Sequence, residues 1–291
     1  MARQLRAEHV ATVGAQLGEG PAWDAARGEL TFVDIVAGAL YRLRPDGRAE
    51  RVLEIDEPLA AALPAADGTR LLVTRAGFVV ADEHDALVPV LDVLASRPDL
   101  RFNDAKCDAS GRCFAGTLSL EGTSAAGTLY RLDDGPIATP VVSEVGLSNG
   151  LGWSPDGGVL YFVDTLSGHI RAFDYDGATG DLGPSRIVVL AEPGTPDGMC
   201  VDHSGCLWVA FWGQGEVRRF TPSGVLDAVV ELPVPNVTSC AFGGRAGDIL
   251  YITTAAGGPA DDGAPPLAGD LFALRPGVTG PAAVPWSGTQ G

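Results

Sequence analysis

The chain has 291 residues, of which 46% are hydrophobic and 20% charged, and it carries a formal net charge of −17. So acidic a surface repels phosphate backbones and anionic headgroups, so we expect neither nucleic acid nor a membrane as a partner. The first ten residues are polar, and no apolar run approaches the ~20 residues of a spanning helix, which predicts a cytoplasmic protein.

Six segments of the chain repeat one pattern: a small-residue entry, a short apolar strand, a turn with Asp and Gly, and an alternating strand. In chain order they are EGPAWDAARGELTFVD from Glu19, AAALPAADGTRLLVT from Ala60, NDAKCDASGRCFAGT from Asn103, NGLGWSPDGGVLYFVD from Asn149, DGMCVDHSGCLWVAF from Asp197 and TSCAFGGRAGDILYIT from Thr238. Their spacing of roughly 40 to 50 residues is that of a four-stranded propeller blade. The sequence therefore predicts an all-β fold, a six-bladed β-propeller with four-stranded blades around a central channel, as one domain over residues 1–291.

The first position of each repeat carries the functional signal. The innermost strand of a blade lines the channel, so equivalent positions in different blades converge on the axis. Four of these positions hold a side chain with a carboxylate or amide oxygen: Glu19, Asn103, Asn149 and Asp197. Hard cations such as Ca²⁺ or Mg²⁺ prefer such ligands, and two carboxylates buried together without a cation resist joint ionisation. The alternative is that these side chains only cap strand ends, but their repetition favours a metal site.

Small residues follow the repeated slot in several blades, among them Gly20, Gly150 and Gly198. A residue without a Cβ lets neighbouring backbones approach closely. We therefore expect the inner strands to crowd the channel axis at this level.

The 5 cysteines are interpreted as small core residues. Their odd number and the absence of a recognisable signal sequence argue against a disulfide framework. Cys107 with Cys113, and Cys200 with Cys206, each flank a hairpin turn and are expected to face across neighbouring strands. No CxxC spacing supports a zinc site.

Several blocks of the sequence resemble the family of regucalcin (senescence marker protein), gluconolactonase and luciferin-regenerating enzyme. The resemblance runs from LGEGPAWD at Leu17 to GDLFALRPG at Gly269, and its specific blocks are RFNDAKCDASGRCFAGT from Arg101, SNGLGWSPDG from Ser148, PDGMCVDHSGCLWVA from Pro196 and TSCAFGG from Thr238. It implies a six-bladed propeller with one divalent metal ion that hydrolyses a sugar lactone to the aldonic acid.

The resemblance also implies residue roles. The family's metal ligands carry over onto Glu19, Asn149 and Asp197, all three in the repeated slot. Its substrate-binding residues carry over onto Arg101, Asn103 and, in a less distinctive loop, Glu121. Ca²⁺ is the ion expected first, with Mg²⁺, Mn²⁺ and Zn²⁺ as alternatives.

Lactone hydrolysis needs a polarised carbonyl, an activated water and a stabilised oxyanion. The metal ion would act as the Lewis acid, and Asp197 is the candidate catalytic base for the water. Arg101 and Asn103 would orient the sugar hydroxyls. The loops over the channel, such as residues 119–126 and 257–267, would shape the pocket, and whether Glu121 and Trp212 reach the substrate stays open.

Two other functions stay open. One is a phosphotriesterase-type hydrolase, which shares the propeller and a similar oxygen cage, although Arg101 and Asn103 favour a hydroxylated substrate. The other is a calcium-binding propeller without catalysis, which has the same polar channel. The GLSNG segment at residues 146–150 enters a β-blade and not a strand-to-helix turn, so Ser148 is not expected to be a nucleophile.

Overall fold

The computed structural model describes residues 2–82, 84–133, 137–191, 193–257, 263 and 265–288. Its regular structure consists of strands alone, arranged in six sheets. Among the described residues there is no helix that could cross a membrane. In chain order the strands are β1 (Arg3–Arg6), β2 (Glu8–Ala11), β3 (Gly18–Asp24), β4 (Glu29–Asp34), β5 (Ala39–Leu43), β6 (Ala49–Glu54), β7 (Leu59–Pro64), β8 (Arg70–Thr74), β9 (Gly77–Ala81), β10 (Leu87–Asp92), β11 (Leu100–Cys107), β12 (Cys113–Ser119), β13 (Gly127–Asp133), β14 (Ile137–Val145), β15 (Ser148–Trp153), β16 (Val159–Asp164), β17 (His169–Asp176), β18 (Asp181–Leu190), β19 (Thr195–Val201), β20 (Leu207–Trp212), β21 (Glu216–Phe220), β22 (Leu226–Glu231), β23 (Val237–Gly243), β24 (Ile249–Thr254) and β25 (Leu271–Leu274).

The six sheets are the blades of a propeller, which confirms the predicted fold. Blades I to V each take four consecutive strands, from β3–β6 to β19–β22. Blade VI takes β23, β24 and β25 and receives its outer strand, β2, from the start of the chain. Strand β1 pairs in parallel with β22 and gives blade V a fifth strand. The repeats did not predict these two additions, because the short N-terminal strands carry no part of the repeated pattern.

The apolar core is divided among the junctions between blades. Six clusters of buried side chains lie one between each pair of neighbouring blades. Between blades III and IV, for example, Phe114 packs with Leu151 and Phe162. The last cluster joins Leu30 of blade I to Tyr251 of blade VI. The inner strands therefore form a closed ring around the channel.

The turn between the first and second strand of a blade is held by the Asp of the repeat. Asp108 Oδ1 accepts hydrogen bonds from the backbone amides of Ser110 and Arg112, both at 2.9 Å. Such side-chain acceptors favour turns over continued strand. The repeated Asp therefore sets where each hairpin reverses, and with it the register of the strands.

This register corrects one of the two cysteine pairs. Cys107 faces Cys113, as expected. Cys200 instead faces Trp208, and its sulfur lies 3.7 Å from that of Cys240 in blade VI. Cys107 stands one residue before its turn aspartate, Asp108, whereas Cys200 stands two residues before Asp202. Cys200 and Cys206 are therefore not opposite each other in the hairpin. In strands a shift of one residue sends side chains to the opposite face.

Candidate metal centre at one end of the channel

All six inner strands carry a β-bulge at the same level. The register shifts lie between Glu19 and Ala22, Leu59 and Ala61, Phe102 and Ala105, Ser148 and Leu151, Pro196 and Met199, and Val237 and Ser239. These are the positions of the repeated slot. A bulge leaves residues unpaired and re-aims their side chains, which releases Asn103, Asn149 and Asp197 from the regular alternation of their strands. Glu19 differs, because it keeps its pairing with Val33 and the bulge begins at the next residue.

Hydrogen bonds between blades place the slots at one level of the axis. Asn103 Nδ2 donates to the Ser148 carbonyl oxygen of the next inner strand at 2.9 Å. Thr238 Oγ1 donates to the Gly18 carbonyl oxygen at 2.5 Å, across the closure from blade VI to blade I. Both contacts join the inner strands of neighbouring blades at the level of the slots.

Close approach of the inner strands explains the glycines beside the slot. A Cβ on Gly150 would lie 2.6 Å from the Met199 nitrogen, and one on Gly198 would lie 2.1 Å from Ser239 Oγ. Gly20 has more room, but its φ of +53° favours glycine. The expected crowding is confirmed at Gly150 and Gly198. At Gly20 the backbone conformation, and not the space, is what favours glycine.

Asn149 presents an unsatisfied oxygen. Its Nδ2 donates to Thr165 Oγ1 at 3.1 Å, and that hydroxyl donates to the Pro196 carbonyl oxygen at 2.8 Å. These two hydrogen bonds hold the Nδ2 end of the amide against the protein. The Oδ1 atom at the other end is buried and has no hydrogen-bond partner. Buried acceptors are normally satisfied, and a cation is one group that would satisfy this one.

Glu19 and Asp197 are both buried acids with perturbed pKa values. Burial raises the pKa of Glu19 well above its usual range, and the carboxylates of Asp197 and Asp104 raise it further. Burial also raises the pKa of Asp197, again with a contribution from Asp104, whereas a hydrogen bond donated by the amide nitrogen of Asn149 lowers it. Like charges at short range resist joint ionisation, which a bound cation would reverse.

Two cations lie among these acids. Burial lowers the pKa of Arg101 to about 10, while the charges of Glu19 and Asp197 raise it, so the guanidinium remains protonated at neutral pH. Lys106 Nζ donates to the Met199 carbonyl oxygen at 2.7 Å. Burial raises the pKa of Asp104 above its usual value, and the charge of Lys106 offsets only part of that rise.

Of the three substrate-binding candidates, two lie beside the centre and one lies on an exposed loop. Arg101 and the buried Asn103 lie on β11 beside the centre, and Arg101 Nη1 donates to the Phe102 carbonyl oxygen at 2.8 Å. Glu121 is exposed on the loop after β12, and its backbone nitrogen donates to Ser119 Oγ at 3.2 Å. Of the second loop expected to shape the pocket, residues 258–262 and 264 lie outside the described residues.

The residues present fit a divalent cation of the oxygen-preferring kind. Within the part of the chain that the structure describes, no three His, Cys, Asp or Glu side chains form a metal group by themselves. The candidate centre therefore depends on the amide oxygen of Asn149 beside the carboxylates of Glu19 and Asp197. Two carboxylates and an amide form an oxygen set suited to Ca²⁺ or Mg²⁺.

Two positions of the site were not singled out from the sequence. Thr165 orients the Asn149 amide, and it follows the Asp of a repeated D-x-x-x-G loop. Lys106 is the other, and its equivalents counted from the turn Asp are the small residues Ala22 and Cys200. A lysine at a position that is otherwise small and apolar is the signal that identifies it.

The channel continues below the centre into a cavity of about 350 Å³. Its walls are largely apolar and include Trp23, Trp153 and Phe242, with Asp104 and Lys106 on the side of the candidate centre. Residues 281–284 from the end of the chain also line it. The polar candidates are thus concentrated at one end of the channel, and the indole rings of Trp23 and Trp153 lie at the other.

The fold is that of a six-bladed propeller, and comparison with known proteins identifies its family. Residues 17–256 match the model of the SMP-30/gluconolactonase/LRE-like region, and the chain belongs to this family. The expected resemblance is thereby confirmed.

Individual relatives align over nearly the whole chain. It is 34% identical to the putative sugar lactone lactonase YvrE of Bacillus subtilis, over 94% of this chain and 96% of that protein. It is also 34% identical to regucalcin of Oryctolagus cuniculus, over 93% and 94% of the two chains. Among solved structures, the calcium-binding protein regucalcin of Agrobacterium tumefaciens superposes with a TM-score of 0.92 at 26% identity, covering 98% of this chain and 99% of that one.

Proposed function

We propose that this protein is a metal-dependent lactonase that hydrolyses a small sugar lactone to the aldonic acid, in the manner of a gluconolactonase. The observation that carries the proposal is the unsatisfied, buried Oδ1 of Asn149 beside the buried carboxyls of Glu19 and Asp197. The similarity to a putative sugar lactone lactonase supports the choice of substrate class.

One divalent ion, Ca²⁺ first among the candidates, would be held by Glu19, Asn149 and Asp197. When bound, such an ion supplies Lewis-acid polarisation of the lactone carbonyl. The ion also explains why two buried carboxyls with raised pKa values occupy one end of the channel, because a cation favours their ionised forms.

Asp197 acts as the general base in this proposal. Its carboxylate accepts a proton from water as the water oxygen attacks the lactone carbonyl carbon. The ring C–O bond then breaks, Asp197 gives this proton to the ring oxygen, which becomes the hydroxyl of the product, and the carboxylic acid formed releases its own proton to solvent. Arg101 remains cationic at neutral pH and stabilises negative charge on the carbonyl oxygen. Asn103 holds a sugar hydroxyl, and Glu121 contacts the substrate from the mouth of the channel.

The test is acid release from a panel of aldonolactones by protein stripped with chelator and resupplied with Ca²⁺, Mg²⁺, Mn²⁺ or Zn²⁺. We expect restored hydrolysis with at least one ion. Asp197→Asn should lower kcat by at least about 100-fold. Asp156→Asn, at an exposed turn, is the matched control and should retain wild-type kcat. A phosphotriester panel is run alongside.

Each outcome has a meaning. Turnover of a phosphotriester but of no lactone would replace the proposal with the phosphotriesterase alternative. Folded protein that binds Ca²⁺ and turns over neither panel would identify a non-catalytic calcium-binding propeller. Hydrolysis that persists in full after chelation would contradict metal dependence.

A further inference from the structure

The cavity below the candidate centre is a feature that the proposed function does not use. The inner strands of all six blades line it. Its volume of about 350 Å³ falls within the range of ligand pockets, roughly 300–1,000 Å³. Among the described residues that line it there is none of the candidates Glu19, Arg101, Asn103, Asn149 and Asp197. The cavity is therefore a separate space, large enough for a small molecule.

Lys106 crosses the channel at the end of this cavity nearest the candidate centre. It lies on β11 of blade III, and its Nζ donates to the carbonyl oxygen of Met199, on β19 of blade V, at 2.7 Å. Blade IV lies between these two blades, so the side chain spans part of the channel. Burial raises the pKa of the Cys240 thiol in blade VI, and the charge of Lys106 opposes that rise. The ammonium is therefore close to the inner strands of three blades.

Asp104 supplies an acceptor beside this ammonium. It is 5% exposed, lies in the bulge of β11 and lines the cavity together with Lys106. Its Oδ1 accepts a hydrogen bond from the backbone amide of Ala105 at 2.7 Å, and its charge interacts with that of Lys106. An ammonium has three N–H donors, of which the Met199 carbonyl oxygen occupies one. One end of the cavity therefore offers both a donor and an acceptor to a single polar group.

The remaining walls are largely apolar and include two indole rings that are held in place. Trp23 stacks on Tyr251 with ring centroids 6.2 Å apart, and Trp153 makes edge contacts with Phe114 and Tyr175 at 5.4 and 5.9 Å. Water finds few partners against such walls, whereas an aromatic ring gains from burial and from contact with the indoles. An apolar cavity of about 150 Å³ is already large enough for benzene.

The C-terminal segment, residues 279–287, forms the far wall of the cavity. Its backbone is hydrogen-bonded in turn to blades V, VI, I, II and III, at His203, Gly247, Trp23, Pro64 and Gly111. A Cβ on Gly247 would lie 2.5 Å from the Gly280 carbonyl oxygen, and one on Gly111 would lie 2.8 Å from the Ser287 nitrogen. These two turns thus leave room for the segment only because they carry glycine. The segment narrows the far end of the channel to a pocket.

We propose that this cavity is a second ligand site, which binds a small phenol: one aromatic ring against the indoles, with its hydroxyl at Asp104 and Lys106. The phenol O–H donates to the Asp104 carboxylate, and its oxygen accepts from the Lys106 ammonium. A sugar lactone would leave most of its hydroxyls unpaired against the apolar walls. The site therefore takes a ligand of different chemistry and does not depend on the proposed lactonase function.

The test follows the binding of 4-fluorophenol to the whole, Ca²⁺-loaded chain by ¹⁹F NMR, with fluorobenzene as the probe that lacks the hydroxyl. Ala241→Phe fills the cavity from β23, because Ala241 is half-buried and lines it. Ala178→Phe is the matched control, on an exposed turn of blade IV. Lys106→Met removes the ammonium and keeps the length of the side chain. A thermal melt verifies that each variant is folded.

We expect the wild type and Ala178→Phe to bind 4-fluorophenol with a Kd of about 1 mM or below. Fluorobenzene should bind at least about tenfold more weakly, because it forms no hydrogen bond to the charged groups. Ala241→Phe should weaken the binding of both probes, and Lys106→Met should narrow the difference between them. No binding of 4-fluorophenol by the wild type, or binding that Ala241→Phe retains in full, overturns the inference. Equal affinity of the wild type for the two probes overturns the assignment to a phenol.

Discussion

At the scale of single residues, the hydrogen bonds of Asn149 distinguish a candidate metal ligand from an amide that only caps a strand. Its Nδ2 is held by Thr165, and its buried Oδ1 is left without a partner. Asn103, in the equivalent slot of the preceding blade, uses its Nδ2 to bind the Ser148 carbonyl oxygen. The same residue type therefore has different surroundings in two neighbouring slots, and the two should differ on substitution.

We expect Asn149→Ala to weaken the binding of Ca²⁺ by at least tenfold, because it removes an amide oxygen from the candidate centre. Asn103→Ala should leave the metal Kd within about twofold of the wild type and raise KM for the lactone. Isothermal titration with Ca²⁺ and steady-state kinetics measure the two effects. Equal loss of metal affinity in both variants would show that the division between ligand and substrate contact is wrong.

The raised pKa values of Glu19 and Asp197 predict how pH acts on the metal-free protein. Unfolded carboxyls titrate near pH 4, so above that the folded state holds more protons than the unfolded state. Stability of the metal-free protein should therefore fall as pH rises through the raised pKa values. Exposed carboxylates with lowered pKa values, such as Asp46, titrate below this window.

Thermal melts in chelator and in Ca²⁺ between about pH 5 and pH 8 measure the effect. The Tm difference between the two series should widen as pH rises, because the ion binds the ionised carboxylates. A Glu19→Gln, Asp197→Asn double variant should lose most of the pH dependence in chelator, and the buried Asp104 carboxyl, whose pKa is also raised, accounts for what remains. A metal-free Tm that rises across this range would contradict the raised pKa values.

At the scale of strands and hairpins, the turn aspartates link sequence pattern to register. Asp202 is the most heavily engaged of them: it accepts hydrogen bonds from two backbone amides, from Trp208 Nε1 at 3.0 Å and from Arg219 Nε at 2.9 Å. Both Asp202 and Arg219 are buried. The hairpin between β19 and β20, which carries Asp197, is thus joined to β21 by a buried ion pair.

Asp202→Ala should lower the free energy of unfolding by about 3–5 kcal/mol, because the buried Arg219 guanidinium loses one of its two carboxylate partners and keeps only the ion pair with Asp227. Asp156→Ala is the matched control, since Asp156 holds an exposed turn through Ser154 and Gly158 and should cost no more than about 1–2 kcal/mol. Denaturant unfolding measures both. Similar losses in the two variants would mean that the buried network adds nothing.

At the scale of the whole molecule, the N-terminal strands close the ring. Strand β2 completes blade VI, and β1 lies on the outside of blade V. His9 Nε2 lies 2.9 Å from Asp270 Oδ2, and Asp270 also accepts the backbone amides of Val13 and Gly14. The closure therefore combines strand pairing with a carboxylate that binds the chain as it passes from blade VI to blade I.

Removing residues 2–6 should cost little, because β1 forms only an outer edge and its side chains are mostly exposed. Removing residues 2–11 should cost several times more, at about 0.5–1.5 kcal/mol for each hydrogen bond lost from blade VI and the ring left open. The Tm values of the two truncated proteins measure these two losses of stability. An equal Tm would show that β2 is not needed for closure.

The sequence by itself determined the number of blades, the place of each hairpin and the slot that points at the channel. These follow from local chemistry: alternating apolar residues, a turn Asp that accepts backbone amides, and small residues where strands crowd. The repeat offered four oxygen-bearing candidates, Glu19, Asn103, Asn149 and Asp197, and the family resemblance chose Glu19, Asn149 and Asp197 among them as the expected metal ligands.

Only the tertiary structure decided which strand closes the ring, which thiol lies beside Cys200, and which slot amide has an unsatisfied oxygen. Each depends on contacts between residues far apart in the chain: β2 with β25, Cys200 with Cys240, Thr165 with Pro196. The repeated sequence pattern specifies the structure of each blade, whereas contacts between blades specify which side-chain atoms are free to act in the channel.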